Sequence, residues 1–129
     1  CHHKEGGGGF CRLLKMRLKS HAQVKREVFL DSDNLQDLSV LFSIVGNRVD
    51  TFVVLCSREI LYRPWCVGEM CTADLHSINT ILILFPEFQW PSPEFIADIG
   101  THVDGVESLA QYGISLAMAR DTLQRLSTR

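Results

Sequence analysis

With 129 residues, 46% of them hydrophobic and 22% charged, the chain has material for one ordinary core and too little for two. No apolar stretch approaches the roughly 20 residues of a membrane-spanning helix, and no signal-peptide pattern opens the chain, so a single soluble domain over 1–129 is expected. The net charge of −2 hides an asymmetry, because residues 1–26 carry seven Lys or Arg against Glu5 alone and the remainder six against fourteen acids. A basic end on an acidic body suggests a partner surface, but without interleaved aromatics or a reading motif it is weak evidence for nucleic acid, and a solvated helix face explains it more cheaply.

In chain order, the sequence opens without Met on Cys1, His2 and His3, then a glycine-rich stretch over residues 4–9 that reads as a loop. It looks cut from something longer, and no strand is expected from residues 1–9. From Phe10 to about Ala22 the apolar Phe10, Leu13, Leu14 and Leu18 keep helical spacing, with Arg12, Lys15 and Lys19 opposite, which predicts an amphipathic surface helix. Residues 27–30 form a short β-type run, closed by Asp31-Ser32-Asp33-Asn34 as an exposed acidic loop.

Leu38, Leu41, Phe42 and Val45 predict a further helix that stops at Gly46-Asn47. Residues 51–55 (Thr-Phe-Val-Val-Leu) and 80–85 (Thr-Ile-Leu-Ile-Leu-Phe) lack polar alternation, the mark of parallel strands buried on both faces. Between them Pro64 opens a helix running to about His76. Residues 98–129 read as a helical carboxyl-terminal part, with a capping box at 104–107 and an interruption at Gly113. Alternation of this kind calls for an α/β fold, a parallel sheet with helices on both faces.

Five cysteines without CxxC spacing suit a reducing, cytoplasmic compartment. Cys1, His2, His3 and Cys11 crowd one end with no second cluster at ligand spacing, so no metal site is expected. No His stands where it would activate Cys56 or Cys66 as a nucleophile.

Two places carry a family resemblance. Val28-Phe29-Leu30-Asp31 followed by Asn34-Leu35 resembles the second strand and exposed loop of TIR domains, the Toll and interleukin-1 receptor homology modules. Val53-Val54-Leu55-Cys56-Ser57, then Tyr62, then Trp65-Cys66-Val67-Gly68-Glu69, is similar to that family's strand ending in Ser and its Trp-Cys-x-x-Glu box. The resemblance spans about residues 2–97, and Arg63-Pro64 departs from it where the family often has Ser. It implies a flavodoxin-like sheet whose first, central strand is missing from this chain.

Two functions follow from the resemblance. One is a cytoplasmic module of signal transduction, self-associating or binding other TIR domains through the loop over residues 31–37 and neighbouring helices. The other is an NAD hydrolase that breaks the bond between nicotinamide and ribose, with Glu69 as the catalytic carboxylate. NAD would be its substrate, and no resident cofactor is implied. Trp65 and Glu69, four apart on a helix, share a face on which an indole can wall a ring-bearing cation beside a carboxylate. The family's strand order brings the loop after Ser57, Glu69 and the glycine stretch to one edge of the sheet, where Gly8 and Gly9 would cradle a phosphate. The plain reading of the same box is packing: Trp65 as a core aromatic, its neighbours as filler, Glu69 as half of an ion pair.

Overall fold

The computed structural model describes residues 1–24, 28 and 40–128. The expected strand over 27–30 and the acidic loop over 31–37 lie outside the described residues. In chain order the elements are α1 (Lys4–Lys19), α2 (Leu41–Arg48), β1 (Thr51–Cys56), α3 (Pro64–Leu75), β2 (Asn79–Leu84), α4 (Pro93–Ala97), α5 (Ile99–His102) and α6 (Leu116–Ser127). Short 3-10 turns cover Ile60–Tyr62 and Val106–Tyr112. No helix among the described residues is long and apolar enough to cross a membrane.

The chain is α/β. The apolar β-branched runs form β1 and β2, paired in parallel with Thr51 opposite Asn79 and Cys56 opposite Leu84. Parallel neighbours need a crossover, and α3 supplies it, opened by Pro64, whose missing N–H is harmless in a first turn. Phe52, Val54 and Cys56 share one pleat of β1 and join a core with Val67, Met70 and Cys71 of α3 and Ala119 and Leu123 of α6. Leu55 faces the opposite way, towards Gly7 of α1.

Helix α3 is buried continuously over residues 66–73. Its Gly68 is required by packing, because a methyl group there would sit 2.3 Å from the ring of Phe42 on α2. At its last turn, Asp74 accepts hydrogen bonds from Thr122 Oγ1 (3.0 Å) and from the guanidinium of Arg125, both on α6. Helix α6 starts where Ser115 accepts from the Met118 amide at 3.2 Å, a side-chain cap on its first turn.

Several expectations are corrected here. Residues 6–9 are not a loop, since α1 begins at Lys4 and runs through all four glycines to Lys19. Glycine disfavours helix by about 1 kcal/mol each. Gly7 faces the sheet, where an added methyl would make ordinary contacts with His2 at 3.8 Å, Leu55 at 3.9 Å and Phe85 at 4.0 Å. The outward side of α1 is less polar than its spacing implied, because Phe10, Leu13 and Met16 are exposed.

β2 is not buried on both faces. Ile81 is 46% and Leu84 50% exposed, as befits a strand whose one ladder partner among the described residues is β1. Residues 104–107 do not form a capping box. Gly105 takes a positive φ of 82° with no side-chain cap bond, and a 3-10 turn follows. Helix α2 ends at Arg48, one residue past the expected stop at Gly46-Asn47.

Candidate functional site

In an open parallel sheet, ligand sites gather at the carboxyl ends of the strands. At that end of β1 the chain's first residue runs alongside it. Cys1 N donates to Val53 O at 2.9 Å and Leu55 N donates to Cys1 O at 2.9 Å, the reciprocal pair of a parallel ladder opposite Val54. Among the described residues, Cys1 is the one that pairs with the edge of β1 away from β2. As expected, residues 1–9 form no strand, and their pairing with β1 is confined to Cys1. From His3, whose carbonyl accepts from Gly7 N at 2.7 Å, the chain turns into α1.

Beyond Cys56 the backbone leaves the strand through Ser57, whose carbonyl accepts from Ile60 N at 3.3 Å. The Ser57 side chain is buried, and its hydroxyl has no hydrogen-bond partner among the described residues. An unmatched buried hydroxyl costs about 1–3 kcal/mol, so natural proteins keep few of them without a reason.

The box lies on the first two turns of α3. Trp65 is half-buried, its ring 5.3 Å from that of Phe42 and 5.3 Å from that of Tyr112, a three-ring cluster joining α2, α3 and the second 3-10 turn. Three residues on from Cys66, on the same face, Glu69 is only 4% exposed. Its carboxylate is therefore largely shielded from solvent.

The sulfurs of Cys1 and Cys66 and a carboxylate oxygen of Glu69 all lie within 4.8 Å of one another. Around them Cys66 Sγ donates to His2 O at 3.5 Å and Cys1 Sγ to Cys66 O at 3.8 Å. His3 Nδ1 stands 3.9 Å from Glu59 Oε2, and Cys11 Sγ 3.6 Å from His2 Nδ1.

Glu69 and Cys66 thus meet the start of the chain, and Ser57 lies at the end of the adjoining strand. Gly8 and Gly9 do not form a phosphate cradle. Both stand past the first turn of α1, where amide N–H groups bond to carbonyls four residues back, and a methyl at either would meet nothing within 4 Å.

Sequence reasoning missed the meeting of Cys1 with Cys66 and Glu69. No local pattern in the sequence signals it, because Cys1 lies 65 or more positions from Cys66 and Glu69. No disulfide joins any of the five cysteines. Burial pushes Cys56 and Cys71 up to about 11, which makes both poor nucleophiles at neutral pH.

Two surface depressions lie elsewhere. One, between β2 and the end of α6, is lined by Cys56, Leu82, Phe88, Trp90 and Leu126. The other is bounded by Met70, Asp74, Asn79 and Arg125. Neither is lined by Glu69, Trp65 or Ser57. Comparison with models of protein families, with curated proteins and with solved structures gives no match for this chain.

Proposed function

We propose that the chain is a TIR-like, flavodoxin-like module of cytoplasmic signal transduction, acting by association with copies of itself or with other TIR domains. The observation that carries this reading is the burial of Glu69 at 4% exposure within a packed helix, which suits an architectural box better than an open catalytic one. The exposed Phe10, Leu13 and Met16 on α1, beside the basic Arg12, Lys15 and Lys19, supply a mixed apolar and cationic surface of the kind association uses. An acidic partner surface, such as residues 31–37 of a second copy, complements it.

Light scattering over a concentration and salt series tests this. The mass is expected to rise with concentration, and to fall with added salt or on charge reversal at Asp31, Asp33 and Asp37. A monomer mass throughout overturns it.

The second reading, NAD hydrolysis, draws support from the unpartnered Ser57 hydroxyl at the carboxyl end of β1. There Glu69 would face the positive charge that develops on the ribose as nicotinamide leaves as a neutral ring, a departure that needs no general acid, and Trp65 would wall the ring. Glu69 must then become accessible. Release of nicotinamide from NAD by the associated protein, abolished by Glu69→Gln without loss of folding, would establish this reading, and no release would exclude it.

A further inference from the structure

We infer that Cys1, Cys66 and Glu69 form a binding site for a thiophilic divalent cation of the zinc type, an inference independent of the signalling reading. Two sulfurs and a carboxylate oxygen converge within 4.8 Å, although their residues come from opposite ends of 65 positions of sequence. Each donor sits on fixed backbone. Cys1 is pinned to β1 by two hydrogen bonds of 2.9 Å, while Cys66 and Glu69 lie one turn apart on α3. A site built on rigid elements loses little order on binding.

The donor set selects the ion. Two thiolates and one carboxylate suit a borderline-soft, tetrahedral cation and not Mg²⁺ or Ca²⁺, which take oxygen donors. Zinc–sulfur bonds of about 2.3 Å in a tetrahedron place the sulfurs about 3.8 Å apart. The donor atoms lie within 4.8 Å of one another, so binding draws them together by up to about 1 Å. On binding, the two thiols lose their protons to solvent and give up weak hydrogen bonds to the carbonyls of His2 and Cys66. No further His, Cys, Asp or Glu of the described residues joins the group, so the fourth position falls to water.

The test uses the full chain, metal-free and under a non-thiol reductant, titrated with Co²⁺ as a spectroscopic probe. The expected result is one Co²⁺ per chain with thiolate-to-cobalt charge-transfer absorption, abolished by an equivalent of Zn²⁺, and a Tm that rises with Zn²⁺. Cys1→Ser, at the half-buried start of the chain, is expected to weaken binding by more than the roughly 10- to 100-fold typical of an outer-shell loss. Cys66→Ser and Glu69→Gln should weaken it too, and Cys71→Ser should leave stoichiometry and spectrum unchanged. Absence of the charge-transfer band, or a band that survives Cys1→Ser at full strength, overturns the site. The Cys1 variant keeps the test decisive even if Cys66→Ser does not fold.

Discussion

Helix α1 leaves Phe10, Leu13 and Met16 at the surface, whereas helix α3 is buried over residues 66–73, and both contain glycine within their turns. A methyl at Gly8 or Gly9 of α1 would meet nothing within 4 Å, but one at Gly68 of α3 would strike Phe42 at 2.3 Å. The same residue therefore weakens one helix and makes the other possible. What decides is the neighbouring element, which local propensity does not record.

The largest effect expected is from Gly68→Ala. The methyl must push Phe42 out of its cluster with Trp65 and Tyr112, and this overpacking outweighs the gain of about 1 kcal/mol in helix propensity. A net loss of about 2 kcal/mol is expected, read as a Tm drop of about 5–10 °C. Phe42→Leu in the same chain should restore part of it, and an additive double-mutant cycle would show that the two residues do not press on each other.

Next in size, with the opposite sign, are Gly8→Ala and Gly9→Ala. Each should stabilise by about 0.5–1 kcal/mol, with more helical circular dichroism. A lower Tm in the double variant would mean that these positions are not helical and would return them to the loop reading.

The smallest effect sharpens how α3 is fixed at its other end. Hydrogen bonds from Arg125, and secondarily Thr122, hold the Asp74 carboxyl below the usual carboxylate range against an opposing push from partial burial. Because the folded value is depressed, this contribution is fully present above the unfolded value of about 3.9 and is lost as pH falls through the lower folded one. Asp74→Asn should therefore lower Tm slightly at neutral pH and flatten the acid limb of the curve of Tm against pH. An acid limb of unchanged slope would show that the contact carries no net stability.

Where one local signal dominated, the fold was legible. Uninterrupted apolar runs placed β1 and β2 within a residue or two, and Pro64 placed the start of α3. Reading failed where tertiary contact overrides propensity. The glycines of α1 argue for a loop, yet the helix runs through them with its Gly7 side packed on Leu55 and Phe85. Ile81 and Leu84 read as buried because hydrophobicity does not say which strand lies at an edge. At the site, the helical spacing of Trp65 and Glu69 was visible in the sequence. The burial of Glu69 was not, since it depends on tertiary packing around α3, and the nearby Cys1 comes from 68 positions away in sequence.

The hydrogen bonds between Cys1 and β1 also bear on the order of folding. They close a loop of 52 residues, for which chain entropy charges about 3.5 kcal/mol by the logarithmic closure law, against two main-chain bonds. The adjacent β1–α3–β2 unit closes over a shorter span, from Thr51 to Leu84, with a full ladder and a core behind it. That unit should assemble first and the chain start should dock last, so amides such as Leu55 N, whose protection depends on Cys1, should exchange with solvent ahead of the inner ladder. Any agent that ties Cys1 to α3 would then act chiefly on the unfolding rate and little on the folding rate, lengthening the life of the docked state.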